Sequence, residues 1–164
     1  RLAAEEGFIL VYPAARKFMW ATTEIDPNNL DANPDVLFFD RLLAYLSDQH
    51  DIDRGRVYAV GMSNGAAFVQ LLMAARSEVI EAAAAHSGPK PRGVGPTSHP
   101  VPIMLIVGAD DTADSAMREN AEQYRAEGHE VEFISVPGLA HAWSTRHNEV
   151  IWELLSRYSL ASDR

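Results

Sequence analysis

The chain has 164 residues, 47% of them apolar and 23% charged, enough for one domain with one good core. Its formal charge of -9 argues against a nucleic-acid surface or an anionic membrane, which both call for a basic patch; the dispersed acids read as a solvated exterior. It has no cysteine, which excludes disulfides, thiolate catalysis and cysteine metal sites, and no apolar run approaches the ~20 residues that span a bilayer.

Arg1 to Glu6 reads as a helix end closed by Gly7. Phe8 to Tyr12 is an unbroken apolar run stopped by Pro13, the pattern of a strand covered on both faces. Ala14 to Pro34 is a long loop rich in Asn, Asp and Pro, with Trp20 inside it either to line a pocket or to cap the core. Asp35 to Gln49 sets Val36, Phe39, Leu42, Leu43 and Leu46 near helical spacing, with Asn33-Pro34 as cap and first turn. After a polar turn, Arg56 to Val60 is a strand. Ser63 to Arg76 is a helix with almost no polar face, hence a buried one. Val79 to His86 has alanines that favour helix, but its short length and the Ser87-Gly88-Pro89 stop fit a buried strand better. Lys90 to Pro100 is loop, Val101 to Val107 a strand, Thr112 to Glu127 a helix, Val131 to Val136 a strand, Pro137 to Ser144 loop and Arg146 to Tyr158 a helix. Strands alternating with helices imply an α/β fold, a mainly parallel sheet of about five strands with helices on both faces, in a single domain over residues 1–164. The chain opens on Arg1 without a leader segment, which is expected of a processed or partial product and leaves location open.

Between the Arg56 strand and the helix after it lies Gly61-Met62-Ser63-Asn64-Gly65, the pattern of a sharp strand-to-helix turn that exposes a serine. The two glycines leave room where strand, turn and helix crowd together. The helix start would aim free N–H groups at a developing oxyanion, Asn64 N–H first. Serine is a weak nucleophile until a base takes its proton, and the base needs a third group to hold its tautomer. In a parallel sheet these partners belong in loops at the carboxyl ends of the strands.

Of the six histidines, His50, His129 and His147 are expected in helices or turns at the other end of the sheet, on the surface, and His99 sits before a strand. His141, in the loop after the last strand, is the favoured base. His86, ending the strand after the serine helix, reads as a near-core histidine close enough to tune the site. Asp110, Asp111 and Asp114 follow the Val101 strand, and one of them should orient His141. The chain order Ser, Asp, His is that of the α/β-hydrolases.

The segments 7–13, 35–38, 53–58 running into 61–65, 108–111 and 141–143 carry a resemblance to the α/β-hydrolase superfamily. Within it, the chain resembles the polyhydroxybutyrate depolymerase and feruloyl or acetylxylan esterase-like group, which is secreted. The resemblance implies Ser63 as nucleophile, Asp111 as acid ahead of Asp110, and His141 as base, with no metal or cofactor. It also sets Trp20 and Trp143 near the substrate cleft. It covers about Gly7 to Trp152 and lacks the family's first strands, one of which carries a His-Gly loop that gives half of the oxyanion hole. That missing strand belongs beside the Val57 strand, so either the Phe8 strand moves in or a neighbouring chain, in a homo-oligomer, or a lost segment completes the sheet. The expected function is a serine carboxylesterase or depolymerase working through an acyl-enzyme on a small or polymeric ester. The alternative is a weak or inactive binding domain with an incomplete oxyanion hole. A flavodoxin-like nucleotide domain shares the sheet type but would need a glycine-rich phosphate loop after its first strand.

Overall fold

A computed structural model describes residues 1–159. Four strands, β1 (Tyr58–Met62), β2 (Ala82–His86), β3 (Ile103–Gly108) and β4 (Val131–Val136), form one sheet in the order β1-β2-β3-β4, every pair parallel. Among the described residues, five α-helices accompany them: α1 (Leu2–Glu6), α2 (Pro34–Gln49), α3 (Asn64–Ala75), α4 (Asp114–Ala126) and α5 (Asn148–Leu155).

The near-continuous apolar runs of the strands follow from burial on both faces. Successive residues alternate between two cores. Ala83, Ala85, Ile103, Leu105 and Val107 pack with Val36 of α2, with α3 and with Met117, Ala121 and Tyr124 of α4. Ala82, Ala84, Met104 and Ile106 pack with Ile151, Leu154 and Leu155 of α5. The alanine run of β2 is therefore strand, as its length and stop signal predict, and every residue in it is buried. Small side chains there let helices approach both faces closely.

The α2 start also follows the sequence. Asn33 Oδ1 accepts the N–H groups of Asp35 and Val36, and Pro34 fills the first helical position. Gly7 closes α1 in the left-handed region, at φ 72°.

Phe8–Tyr12 is not a strand. It pairs with no other segment of the sheet; Phe8 stacks on Trp152 at 4.1 Å, while Ile9, Leu10, Val11 and Tyr12 are exposed. An apolar run becomes a strand only where a ladder partner is in reach, and this one lies against α5 instead. The sheet among the described residues thus has four strands rather than five, and β1 is one of its two edge strands. The Phe8 segment has not moved in beside Val57.

Two histidine placements also differ from expectation. His129 is buried, hydrogen-bonded to the Val101 backbone two residues before β3 and to Thr97 Oγ1. His147 lies at the site end of the sheet, 2.7 Å from Ser144 Oγ. A turn residue's burial depends on what packs over it, which periodicity does not report.

Candidate active site

β1 runs into α3 through Ser63, whose backbone is held at φ 54°, ψ -120°. A non-glycine residue there stores strain that the surroundings must support. The supports are specific. Ser63 N–H donates to His86 O at 2.8 Å. A Cβ on Gly61 would meet Gly65 O at 2.3 Å, and one on Gly88 would meet Ser63 O at 2.1 Å. Gly65 itself has room, with Trp20 Nε1 at 3.9 Å the nearest atom to an added Cβ. The close approach that the sequence pattern suggested rests on Gly61, and its second member is Gly88, outside the five-residue motif.

Three loops at the carboxyl ends of β1, β3 and β4 then meet. His141 Nε2 lies 3.0 Å from Ser63 Oγ, and His141 Nδ1 lies 2.8 Å from Asp111 Oδ2. Of the three carboxylates after β3, Asp111 is the one on His141. Asp110 is exposed, and Asp114 is occupied by Arg118 and Ser135. The β3 and β4 loops are tied directly, since Asp110 N–H donates to Leu139 O at 3.0 Å, and a Cβ on Gly108 would fall 2.0 Å from that oxygen.

Asp111 is buried, which alone would raise its pKa. The Ala113 N–H donates to its carboxylate, His141 Nδ1 lies on its other oxygen, and these two, with the Ser87 side chain nearby, hold it below the usual range. An ionised, fixed carboxylate on Nδ1 leaves Nε2 free to accept the serine proton.

Asn64 opens α3, so its N–H has no partner within the helix. Its side chain is fully used. Oδ1 accepts Trp20 N–H at 2.7 Å, while Nδ2 donates to Thr22 Oγ1 at 2.8 Å and to Trp20 O at 3.2 Å. Together with Ala21 N–H donating to Asp35 Oδ2, this pins the long loop to α2 and α3.

A cleft of about 320 Å³ opens over Ser63 and His141, walled by Thr22, Ala67, Pro89 and Pro91 among others. Trp20 is not in its lining; the indole stacks on Phe68 at 4.6 Å, as a cap on the core. Trp143 is also outside the lining. It lies 4.9 Å from the His86 ring and donates to Asn148 Oδ1. The wall after β2, Ser87 to Pro91, was foreseen as a loop at the right end of the sheet, but no residue in it was singled out. Its only sequence signal is the Ser-Gly-Pro stop. Among the described residues, no three His, Asp or Glu side chains gather where they could hold a metal ion.

Residues 16–163 match the dienelactone hydrolase family. The chain belongs to that family. The chain is also similar to proteins with esterase names. Over 110 residues, the chain is 30% identical to the bifunctional acetylxylan esterase/xylanase XynS20E of Neocallimastix patriciarum, covering 67% of this chain and 16% of that protein. Over 88 residues it is 33% identical to feruloyl esterase B of Thermothelomyces thermophilus, covering 52% of this chain and 30% of the relative. The chain therefore spans less than a third of either relative. Among solved structures, the Bacillus cereus carboxylesterase superposes with a TM-score of 0.65 at 17% identity, over 85% of this chain and 66% of that one. At that identity the likeness establishes the shared α/β-hydrolase fold.

Proposed function

We propose that the chain is a serine ester hydrolase that works through an acyl-enzyme. The observation that carries the reading is the unbroken line Ser63 Oγ, His141, Asp111, with contacts of 3.0 and 2.8 Å, at the floor of an open cleft. Ser63 Oγ attacks the ester carbonyl as His141 Nε2 takes its proton. The tetrahedral oxyanion accepts Asn64 N–H. The intermediate then collapses, the C–O bond to the alcohol breaks, and His141 returns the proton to the leaving oxygen. Water, deprotonated by the same nitrogen, attacks the acyl group; the carboxylic acid leaves and Ser63 regains its proton. The cycle uses only these groups and water.

The names of the relatives, acetylxylan esterase and feruloyl esterase, support acetylated xylan or feruloyl esters as substrates, and the resemblance to depolymerases adds a short polyester. In this reading the substrate meets Thr22, Ala67, Pro89 and Pro91, while Trp20 and Trp143 back the walls. The test is turnover of a short-chain p-nitrophenyl ester by wild type and by Ser63→Ala. Wild-type turnover that vanishes in the variant supports the reading. A folded protein with no turnover, or a variant as active as wild type, ends it.

A further inference from the structure

The cycle above gives the oxyanion one donor, Asn64 N–H, yet an alkoxide oxygen has lone pairs for more than one. The hydroxyls in the cleft lining are those of Thr22, Ser63, Ser87 and Thr112. Ser63 is the nucleophile. Ser87 Oγ lies 3.0 Å from His86 Nδ1, in a loop that Gln70 anchors: Gln70 Nε2 donates to Gly88 O at 2.8 Å, and Tyr124 O–H donates to Gln70 Oε1. Thr112 follows Asp111, in the loop that holds the base. Of the three that remain beside the nucleophile, Thr22 is the one joined to Asn64. We propose that Thr22 is a catalytic residue, its hydroxyl donating the second hydrogen bond to the oxyanion that forms on Ser63.

The direction of that hydroxyl follows from a backbone donor. Trp20 N–H lies 2.7 Å from one terminal atom of the Asn64 amide. An N–H can only donate, so that atom is Oδ1 and the other is Nδ2. Nδ2 has two hydrogens to give and accepts none. One goes to Trp20 O at 3.2 Å and the other to Thr22 Oγ1 at 2.8 Å. Thr22 Oγ1 is therefore the acceptor in this contact, and its own hydrogen is left over. Among the described residues no group accepts that hydrogen. It is a donor without a partner, on a half-buried residue that lines the cleft. The amide behind it polarises the hydroxyl and strengthens the bond it gives.

A donor stabilises a transition state best when it is fixed before the reaction. Thr22 N–H donates to Trp20 O at 2.9 Å. One residue earlier, Ala21 N–H donates to Asp35 Oδ2 at 2.6 Å and Ala21 O accepts Asn33 Nδ2 at 2.8 Å. The Trp20 ring is stacked on Phe68. Asn64 thus sets both donors, its own N–H by opening α3 and the hydroxyl through its side chain. Thr22 keeps its proton throughout and takes no part in the transfers among Ser63, His141 and the leaving oxygen.

The inference rests on the ester-hydrolase reading, and the tests keep the two apart. Thr22→Val, which keeps the shape, and Thr22→Ala should each lower kcat by about 10²–10³ at a KM within about threefold of wild type, because the donor acts on the transition state. Thr22→Ser restores the hydroxyl and should recover at least roughly a tenth of the wild-type kcat. An unchanged kcat in a folded valine or alanine variant, a loss confined to KM, or a serine variant as slow as valine overturns the proposal. The oxyanion itself gives a second readout. A trifluoromethyl ketone labelled with carbon-13 at its carbonyl adds to Ser63 as a hemiketal, whose hydroxyl ionises at a pH set by the donors around it. That midpoint should rise by about two pH units in Thr22→Val; an equal midpoint overturns the proposal. Ester turnover that is lost in Ser63→Ala and kept in Thr22→Val removes this inference and leaves the proposed function standing. A wild type that forms the adduct without turning over ester ends the proposed function, and the midpoint still decides this inference. A folded wild type with neither adduct nor turnover overturns both.

Discussion

Gly108→Ala probes how tightly the histidine loop is held, because the structure states the required movement. Gly108 is not at positive φ, so alanine itself suits the backbone, but its Cβ would fall 2.0 Å from Leu139 O and 2.5 Å from Ala140 O. Ordinary contact begins at 3.4 Å, so the segment before His141 must retreat by about 1.4 Å. That retreat breaks the Asp110 N–H to Leu139 O bond and carries His141 away from Ser63. A misplacement near 1 Å costs about 10²-fold in rate, so kcat should fall by roughly that factor. Overpacking of this kind costs about 1–3 kcal/mol, which lowers Tm by roughly 3–10 °C in a domain of this size. Ester kinetics with a thermal melt reads both. Gly95→Ala is the control, since nothing lies within 4 Å of an added Cβ there. A folded Gly108→Ala protein with kcat within about twofold of wild type would refute the claim that this contact fixes His141.

The carboxylate assignment separates neighbours: Asp111→Asn should lower kcat by about 10⁴ through the wrong imidazole tautomer, while Asp110→Asn, on an exposed side chain, should leave it near wild type. Equal losses in the two would contradict the geometry. Tyr124→Phe leaves Gln70 Oε1 buried without its donor, a cost of about 1–3 kcal/mol. Tm should drop while kcat holds, because the Gln70 to Gly88 bond survives. The Arg76 guanidinium holds the Asp40 carboxyl below its ordinary value, and the donors around Asp111 do the same there. Both groups therefore stabilise the fold above their unfolded pKa, about 3.9, and that stability is lost as pH falls through the folded values. Urea midpoints should be level at neutral pH and decline in acid, with a shallower decline in Arg76→Met; an unchanged acid slope in that variant would remove Arg76 from the account.

Much of the site was legible because chemistry and topology constrain the same residues. Ser63 announces itself through Gly61 and the apolar helix behind it. Asking which loops lie at the carboxyl ends of strands leads to His141 and to three carboxylates, Asp110, Asp111 and Asp114, of which only the family resemblance prefers Asp111. The parallel pairing was legible too, since strands that alternate with helices call for crossover connections between parallel strands. What was missed depends on three-dimensional neighbours. Phe8 to Tyr12 has the composition of a buried strand but no ladder to join, and four of its five residues lie open. Trp20 stacks beneath the cleft wall rather than on its face because Phe68 offers a flat apolar partner one turn into α3. Gly88 and Gly108 read as ordinary loop and strand-end glycines. The fold brings carbonyl oxygens to 2.1 and 2.0 Å from where their side chains would start. His129 and His147 are turn histidines whose partners, Val101 and Ser144, lie far along the chain or in a fold of the same loop.

The central claim is that Ser63 is an activated nucleophile. Its most direct test is covalent: incubation with a fluorophosphonate, intact-mass detection and peptide mapping. The account predicts one adduct, on Ser63, abolished in Ser63→Ala and strongly slowed in His141→Ala. A folded wild-type protein that takes no label, or that is labelled at another residue, would contradict it.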